Sequence, residues 1–377
     1  MKEQDPFRYF ENAVDHEIAF VEKEKARGRK IVGIYCEYTP REIILAAGAI
    51  PICLCGTSNS TVAEAEKILP SNLCPLIKSS FGYFITDSCP FMTMADMIVA
   101  ETTCDGKKKM YEIMGQRKHV EVLELTQKSG SASALKHWIS ELRKFRRTLE
   151  EEFKVKITDN DLRRAIRVMN RERMLLRKAF DLGMGDPSVV SGLELALIRF
   201  RVAGFAKHLE MLERFIEIVE KRRKNRRMEG RPRILLTGCP TGDGSGKVIE
   251  IIEECGGVVV VQEACSGIKS VYELTEEKGD PIEAIARRHF HLPCSCLTPN
   301  RGRIELLERL AGDFKPDAVI DLIWQACHTY NVESHLIGEF VRNKLKLPFL
   351  KVETDYSPSD REQLKVRINA LLEMAGK

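Results

Sequence analysis

Apolar residues fall at helical spacing over residues 7 to 28 (Phe7, Phe10, Val14, Ile18, Phe20, Val21), which predicts a leading amphipathic helix. The pattern then changes. Short continuous apolar runs alternate with helical stretches of about ten residues, the mark of buried parallel strands joined by helices. The first such region predicts a strand over 31 to 35, then a helix with Thr39 as N-cap and Pro40 at its first position, ending at Gly48. A strand over 49 to 54 follows, then a helix near 61 to 69 and a loop holding Cys74 and Cys89. Strand 97 to 103 leads into helix 106 to 114.

From about 135 to 229 the periodicity is almost all helical, broken near 183 to 191 by Gly183-Met184-Gly185-Asp186-Pro187. A second α/β region begins at Arg231-Pro232. It predicts strands 233 to 237, 258 to 262, 317 to 323 and 348 to 352, and helices 247 to 255, 281 to 290 and 332 to 344. A last helix, about 359 to 375, starts from Ser357-Pro358-Ser359. The expected organisation is an N-terminal helix (1–30), a first α/β domain (31–134), a helical region (135–230), a second α/β domain (231–357) and a C-terminal helix (358–377). The fold class is α/β: two Rossmann-like domains with parallel sheets and right-handed crossovers.

Cysteines make this architecture specific. Twelve fall in two blocks of six, Cys36 to Cys104 and Cys239 to Cys327. Cys36, Cys104, Cys239 and Cys327 each close an apolar run, and one loop cysteine, Cys74 or Cys294, lies between each pair. In parallel sheets ligands gather outside the carboxyl ends of the strands. One motif is written twice, and two such edges facing each other would enclose a single site.

Composition narrows the class without naming the chemistry. The chain is 30% charged and 44% apolar with a formal net charge of +4, too small to imply a nucleic-acid partner. The basic run Lys221 to Arg227 ends a helical pattern, where cations suit the helix dipole. No run approaches the ~18 apolar residues that span a bilayer, and no leader pattern opens the chain, so a cytoplasmic protein with no membrane partner is expected. In a reducing compartment the thiols remain available as ligands.

The stretch Gly238 to Lys247 invites a phosphate-loop reading and fails it: Thr241 stands where a glycine is needed and Val248 where a hydroxyl is needed, while the dinucleotide fingerprint needs a glycine at Lys247. A glycine-rich turn allowing close backbone approach is the safer reading. Zinc is disfavoured because no C-x-x-C occurs; Cys53-x-Cys55 and Cys294-x-Cys296 come nearest. Single cysteines from separate strand ends suit an iron-sulfur cubane, and three ligands per cubane leave one iron open. The candidate metal and cofactor ligands are Cys36, Cys74, Cys104, Cys239, Cys294 and Cys327. Cys53 and Cys255 read as small buried hydrophobes, while Cys55, Cys89, Cys265 and Cys296 remain open as replacement ligands.

Lys107, Lys108 and Lys109 fall in the first turn of a helix, which the dipole disfavours unless something negative lies nearby. His328 and Glu37 are the candidate catalytic proton donors beside the metal, with Tyr330 and Tyr38 as further neighbours.

Tyr35-Cys36-Glu37-Tyr38-Thr39-Pro40-Arg41-Glu42, Ala46-Ala47-Gly48-Ala49, Asn72-Leu73-Cys74-Pro75-Leu76-Ile77-Lys78-Ser79-Ser80, Glu101-Thr102-Thr103-Cys104-Asp105-Gly106-Lys107-Lys108-Lys109-Met110-Tyr111 and Gln325-Ala326-Cys327-His328-Thr329-Tyr330 resemble the 2-hydroxyacyl-CoA dehydratase and benzoyl-CoA reductase superfamily. Within it they most resemble the double-cubane cluster proteins. The resemblance extends to Thr237-Gly238-Cys239-Pro240, Cys294-Ser295-Cys296 and Glu353-Thr354-Asp355-Tyr356. It implies that Cys74, Cys104 and Cys327 match the cysteines binding one cubane in dehydratase subunits, with Cys36, Cys239 and Cys294 as an additional set. It further implies a homodimer whose subunits each hold two [4Fe-4S] cubanes joined through a sulfide, an [8Fe-9S] cluster. A separate ATP-hydrolysing [4Fe-4S] reductase would charge that cluster. The implied reaction is ATP-driven, anaerobic reduction of small unsaturated molecules, with acetylene as a model substrate. Two alternatives stay open: a dehydratase-type subunit acting on a CoA thioester through a single cubane, and a non-enzymatic electron carrier.

Overall fold

The computed structural model describes residues 5–128, 130–199, 201–222 and 228–376. Most of the basic run, residues 223–227, lies outside them. In chain order the first part holds α1 (Pro6–Glu11), α2 (Ala13–Ala26), β1 (Ile31–Ile34), α3 (Arg41–Ala46), β2 (Ile50–Cys53), α4 (Val62–Ala65), α5 (Pro75–Ile85), α6 (Pro90–Met94), β3 (Met97–Glu101), α7 (Asp105–Met114) and β4 (Val120–Leu123). Helices α8 (Ala132–Phe153), α9 (Asp159–Asp181), α10 (Gly192–Leu197) and α11 (Ala206–Lys221) follow. The last part holds β5 (Arg233–Gly238), α12 (Lys247–Glu254), β6 (Val258–Glu263), α13 (Pro281–Phe290), α14 (Arg301–Phe314), β7 (Ala318–Trp324), α15 (His328–Phe340), β8 (Phe349–Thr354) and α16 (Arg361–Ala375).

The two sheets have the same order, β2-β1-β3-β4 and β6-β5-β7-β8, and every pairing is parallel. Strands β1, β3, β5, β6 and β7 are buried along their whole length, as expected for sheets covered on both faces. The fold is therefore α/β with two Rossmann-like halves. In each half the strand order reverses between the two central strands, the switch point where parallel sheets open a crevice. Cys36 and Cys104 follow β1 and β3, and Cys239 and Cys327 follow β5 and β7, so each crevice receives two cysteines.

Several elements differ from expectation. The leading helix is two helices, because the Asn12 side chain donates to the Arg8 carbonyl, 2.8 Å away, and competes with the helical ladder. Thr39 does not cap α3. Its hydroxyl donates instead to the buried Glu101 carboxylate at the end of β3, and α3 begins only at Arg41. The loop between Cys74 and Cys89 holds α5, a helix buried on nearly every side, whose Ser80 hydroxyl donates back to Leu76 O at 2.7 Å. Strand β4 and helix α14 are additional to the expected elements. Helix α15 starts at His328 rather than near 332, directly after Cys327.

The helical region ties the halves together. Helix α9 packs on α3 of the first half and α13 of the second. Arg173 of α9 pairs with Glu42 of α3 at 2.6 Å, while Asn170 Nδ2 donates to Thr275 O at 2.8 Å. The glycine-rich turn after Cys239 packs directly on the first half, where Thr57 Oγ1 donates to Asp243 O at 2.6 Å. Among the described residues no helix is long and apolar enough to cross a membrane.

Candidate metal centre

Helix starts position three of the six candidate cysteines. Cys74, Cys104 and Cys327 are the N-cap residues of α5, α7 and α15, where free amide groups and the helix dipole favour negative charge. Ala326, just before Cys327, has φ +57°, a left-handed conformation that a non-glycine residue adopts at some cost and that turns the chain sharply from β7 into α15. Cys239 follows Gly238, whose φ of +109° allows the Cys239 amide to donate to Leu322 O at 2.7 Å. A Cβ at Gly238 would lie 2.1 Å from that same oxygen.

The thiols assemble in two groups, each drawing on both halves of the chain. Cys74 and Cys239 share hydrogen bonds with Cys327, and these hold the Cys327 thiol well below its ordinary range. The Trp324 amide donates to Cys239 Sγ at 3.4 Å. Cys36, Cys294 and Cys296 form the second group, in the core between α8, α13 and β1, and Cys265 lies close enough to act on the charge of Cys36. A hydrogen bond from Cys296 draws Cys294 down to about 6, whereas burial pushes Cys265 up to about 12. Burial, reinforced by Glu101, raises Cys36 well above a free thiol. Cys104 borders the same core as the first group and acts on Lys107 together with Cys36 and Cys55.

Lys107 answers the lysine-rich start of α7. Its Nζ turns inward to Tyr35 O at 3.1 Å, while Lys108 pairs with Asp105 at 2.7 Å and Lys109 with Glu112. Burial alone would lower the Lys107 ammonium, but Tyr111 and the thiols of Cys36, Cys55 and Cys104 hold it well above its usual value. The phenols of Tyr111 and Tyr356 are buried beside the thiols without hydrogen-bond partners among the described residues, and burial raises both well above 10.

An iron-sulfur cluster fits this donor set. The soft donors are two groups of buried and half-buried thiols, with an amide aimed at one sulfur, the ammonium groups of Lys107 and Lys269 acting on their charge, and two phenol donors that, among the described residues, lack acceptors.

Other expected residues are placed as follows. Glu37 lines the cavity beside the thiols and pairs with Arg41 at 2.5 Å. His328 is exposed at the first turn of α15. Tyr330 is buried and accepts from Lys269 Nζ at 3.0 Å, and Tyr38 donates to Leu292 O at 2.8 Å. Cys53, read as packing, lines the cavity with Cys55, whose hydrogen bond draws Cys53 down to about 7. Cys265 lines it too. No pattern in the sequence marks Arg199, which enters the same cavity from the irregular segment after α10. Cys265 is among the cysteines open as replacement ligands, while only the surplus of cysteines hints at Cys53.

A family model described as 2-hydroxyglutaryl-CoA dehydratase, D-component, matches residues 36–375. The chain is 42% identical over 356 residues to YjiM of Escherichia coli (strain K12), named as a dehydratase subunit, with 93% of this chain and 92% of that one covered. It is 22% identical to the (R)-phenyllactyl-CoA dehydratase beta subunit of Clostridium sporogenes, over 97% of this chain and 98% of the relative. A benzoyl-CoA reductase subunit of Thauera aromatica is 24% identical over 71% of this chain and 70% of its own length.

Proposed function

The chain belongs to the 2-hydroxyglutaryl-CoA dehydratase, D-component, family, and from that membership we propose that it is the iron-sulfur component of an ATP-dependent reductase acting on small unsaturated molecules. In this reading each subunit of a cytoplasmic homodimer holds a double-cubane [8Fe-9S] cluster, and a separate ATP-hydrolysing [4Fe-4S] reductase charges it. Cys74, Cys104 and Cys327 would hold one cubane, with Cys36, Cys239 and Cys294 as the second set. When bound, such a cluster supplies low-potential electrons in pairs.

The observation that carries the reading is the second thiol group. A single cubane needs only one group, yet Cys36, Cys294 and Cys296 form a second group beside Cys74, Cys239 and Cys327. Cys239, of the second proposed set, shares a hydrogen bond with Cys327, of the first, so the sets adjoin.

The protein's own groups suit the task. Helix starts, the Trp324 amide and Lys107 stabilise negative charge on the sulfurs. Tyr111 and Tyr356 keep their hydroxyl protons through the physiological range. This reading assigns proton donation to Glu37, on the cavity wall beside Arg41, and to His328, exposed on the first turn of α15.

Iron and sulfide counts with low-temperature EPR on anaerobically purified protein test this reading. About eight irons per chain are expected, falling in each single Cys→Ala variant of the six. About four irons in the wild type would favour a dehydratase-type subunit with one cubane, the reading nearest to the names of its relatives. A full complement in Cys36→Ala and Cys239→Ala would remove those two as ligands. Eight irons without acetylene reduction, given activator and ATP, would leave an electron carrier.

A further inference from the structure

A cavity of about 220 Å³ lies between the two halves under α9, with Cys36, Cys53, Cys55 and Cys265 on one side. Five arginines also line it, and they are not alike. Arg41 pairs with Glu37 at 2.5 Å, Arg173 with Glu42 at 2.6 Å and Arg201 with Glu17 at 2.9 Å. Among the described residues, Arg199 and Arg288 have no carboxylate within ion-pair distance.

Arg288 at least spends its donors on the carbonyls of Ser270 and Glu273. Arg199 does not. One of its terminal nitrogens, Nη2, donates to Thr241 Oγ1 at 2.7 Å, while its Nε is buried with no partner among the described residues. Asp243, the acidic group whose charge reaches it, is committed to Arg201. Burial pulls Arg199 down to about 10 and Arg288 to about 9, as for cations stripped of water without a counter-ion. A guanidinium in that state is the natural partner of a planar, bidentate anion.

We propose that this cavity binds a small unsaturated carboxylate, anchored by Arg199 and extending toward the cysteine wall. The volume, below the roughly 300–1,000 Å³ of clefts for drug-sized ligands, suits a free acid rather than a nucleotide-bearing thioester. Thr241 Oγ1 and Ser266 Oγ, 3.4 Å apart, stand beside the anchor as further hydrogen-bonding groups. The reactive part of the proposal rests on the reductase reading above. The carbon-carbon double bond takes up two electrons, from the low-potential iron-sulfur reductase already invoked, and two protons, one to each carbon, giving the saturated acid. The anchoring part does not rest on that reading.

Calorimetric titration of the anaerobic holoprotein with crotonate, crotonamide and inorganic phosphate tests the anchor. Crotonate should bind at least tenfold more tightly than its neutral amide and than phosphate. Arg199→Gln should abolish the preference for crotonate over the amide, and Arg199→Lys should keep part of it. Equal binding of crotonate and crotonamide by the wild type overturns the proposal without any variant, as does a preference that survives in Arg199→Gln. Phosphate binding as tightly as crotonate overturns the carboxylate assignment. Loss of iron in Arg199→Gln would instead make Arg199 a counter-charge for the cluster. Acetylene reduction by the wild type, measured separately, fails if the reductase reading is wrong and leaves the crotonate preference standing.

Discussion

A Cβ built on Gly242 would lie 2.4 Å from the Thr57 methyl carbon, closer than side-chain atoms approach. Thr57 belongs to the first half and Gly242 to the turn after Cys239, so this contact sets how near the two halves come where their cysteines meet. Gly242→Ala should therefore force them apart, costing about 1–3 kcal/mol as overpacking does. The urea midpoint should fall, and iron content of anaerobically purified protein should fall with it. An unchanged midpoint and iron content would mean that the halves shift without consequence.

This contact also shows what the sequence could and could not reveal. The glycine run after Cys239 was legible as a site of close backbone approach, because the spacing for a phosphate loop was wrong. What approaches it was not legible, since Thr57 lies far away in the chain. The parallel strands and the strand-end cysteines were readable because their apolar runs are continuous and the pattern repeats. Helix α5 was not: burial on nearly every face erases amphipathic periodicity, and Ser79, Ser80 and Gly82 read as loop residues. Gly82 instead lets α5 pack against Thr61 O, 2.1 Å from where a Cβ would stand. Helix α14 is different. Leu306, Leu307, Leu310 and Phe314 carry a clear helical period that was there to be read. The grouping of the thiols across both halves, and the unpaired Arg199, arise only from tertiary packing.

Glu42 and Arg173 are both buried, and Thr275 Oγ1 also donates to Glu42, 3.2 Å away. Arg173 holds the Glu42 carboxyl below the usual carboxylate range against the opposing effect of burial, the largest influence on it. Glu42→Gln leaves a buried guanidinium uncompensated, and a loss of about 3–5 kcal/mol is expected in urea unfolding. The double variant Glu42→Leu with Arg173→Met should recover most of it. A loss as large in the double variant would mean that the pair, rather than the filled volume, holds α9 on α3.

Two buried histidines set the acid limb of stability. Burial, aided by Arg201 for His208 and Arg288 for His289, depresses each to about 3. Between about 6.5 and 3 the unfolded histidine is protonated and the folded one is not, so unfolding takes up a proton and stability falls as pH drops. Each contributes about 1.4 kcal/mol per pH unit across that window. Burial raises Glu172 to about 7, with the opposite consequence: the folded state holds the extra proton, and stability declines as pH rises from 4.5 toward 7. His289→Gln keeps a donor for Ile285 O, 2.8 Å from the native ring nitrogen, and should flatten the acid limb by one proton. Urea midpoints measured from pH 4 to 8 provide the check.

Lys107 is the half-buried cation whose charge reaches Cys36, Cys55 and Cys104 together, and its Nζ is anchored on Tyr35 O. A positive charge in a dry site stabilises the more negative, reduced state of a nearby cluster, so it raises the reduction potential. Lys107→Met removes the charge while keeping most of the side-chain length. The potential should shift negative by an amount on the order of 60 mV, one tenfold step for a single electron. The iron count should stay unchanged, because Lys107 is not a ligand. EPR-monitored redox titration of wild type and variant reads both quantities. If Lys107 serves only to hold the Tyr35 carbonyl, the variant will lose stability with no change in potential. Lys107→Arg separates the two roles further: it restores the charge but not the compact ammonium, and should return the potential toward the wild-type value.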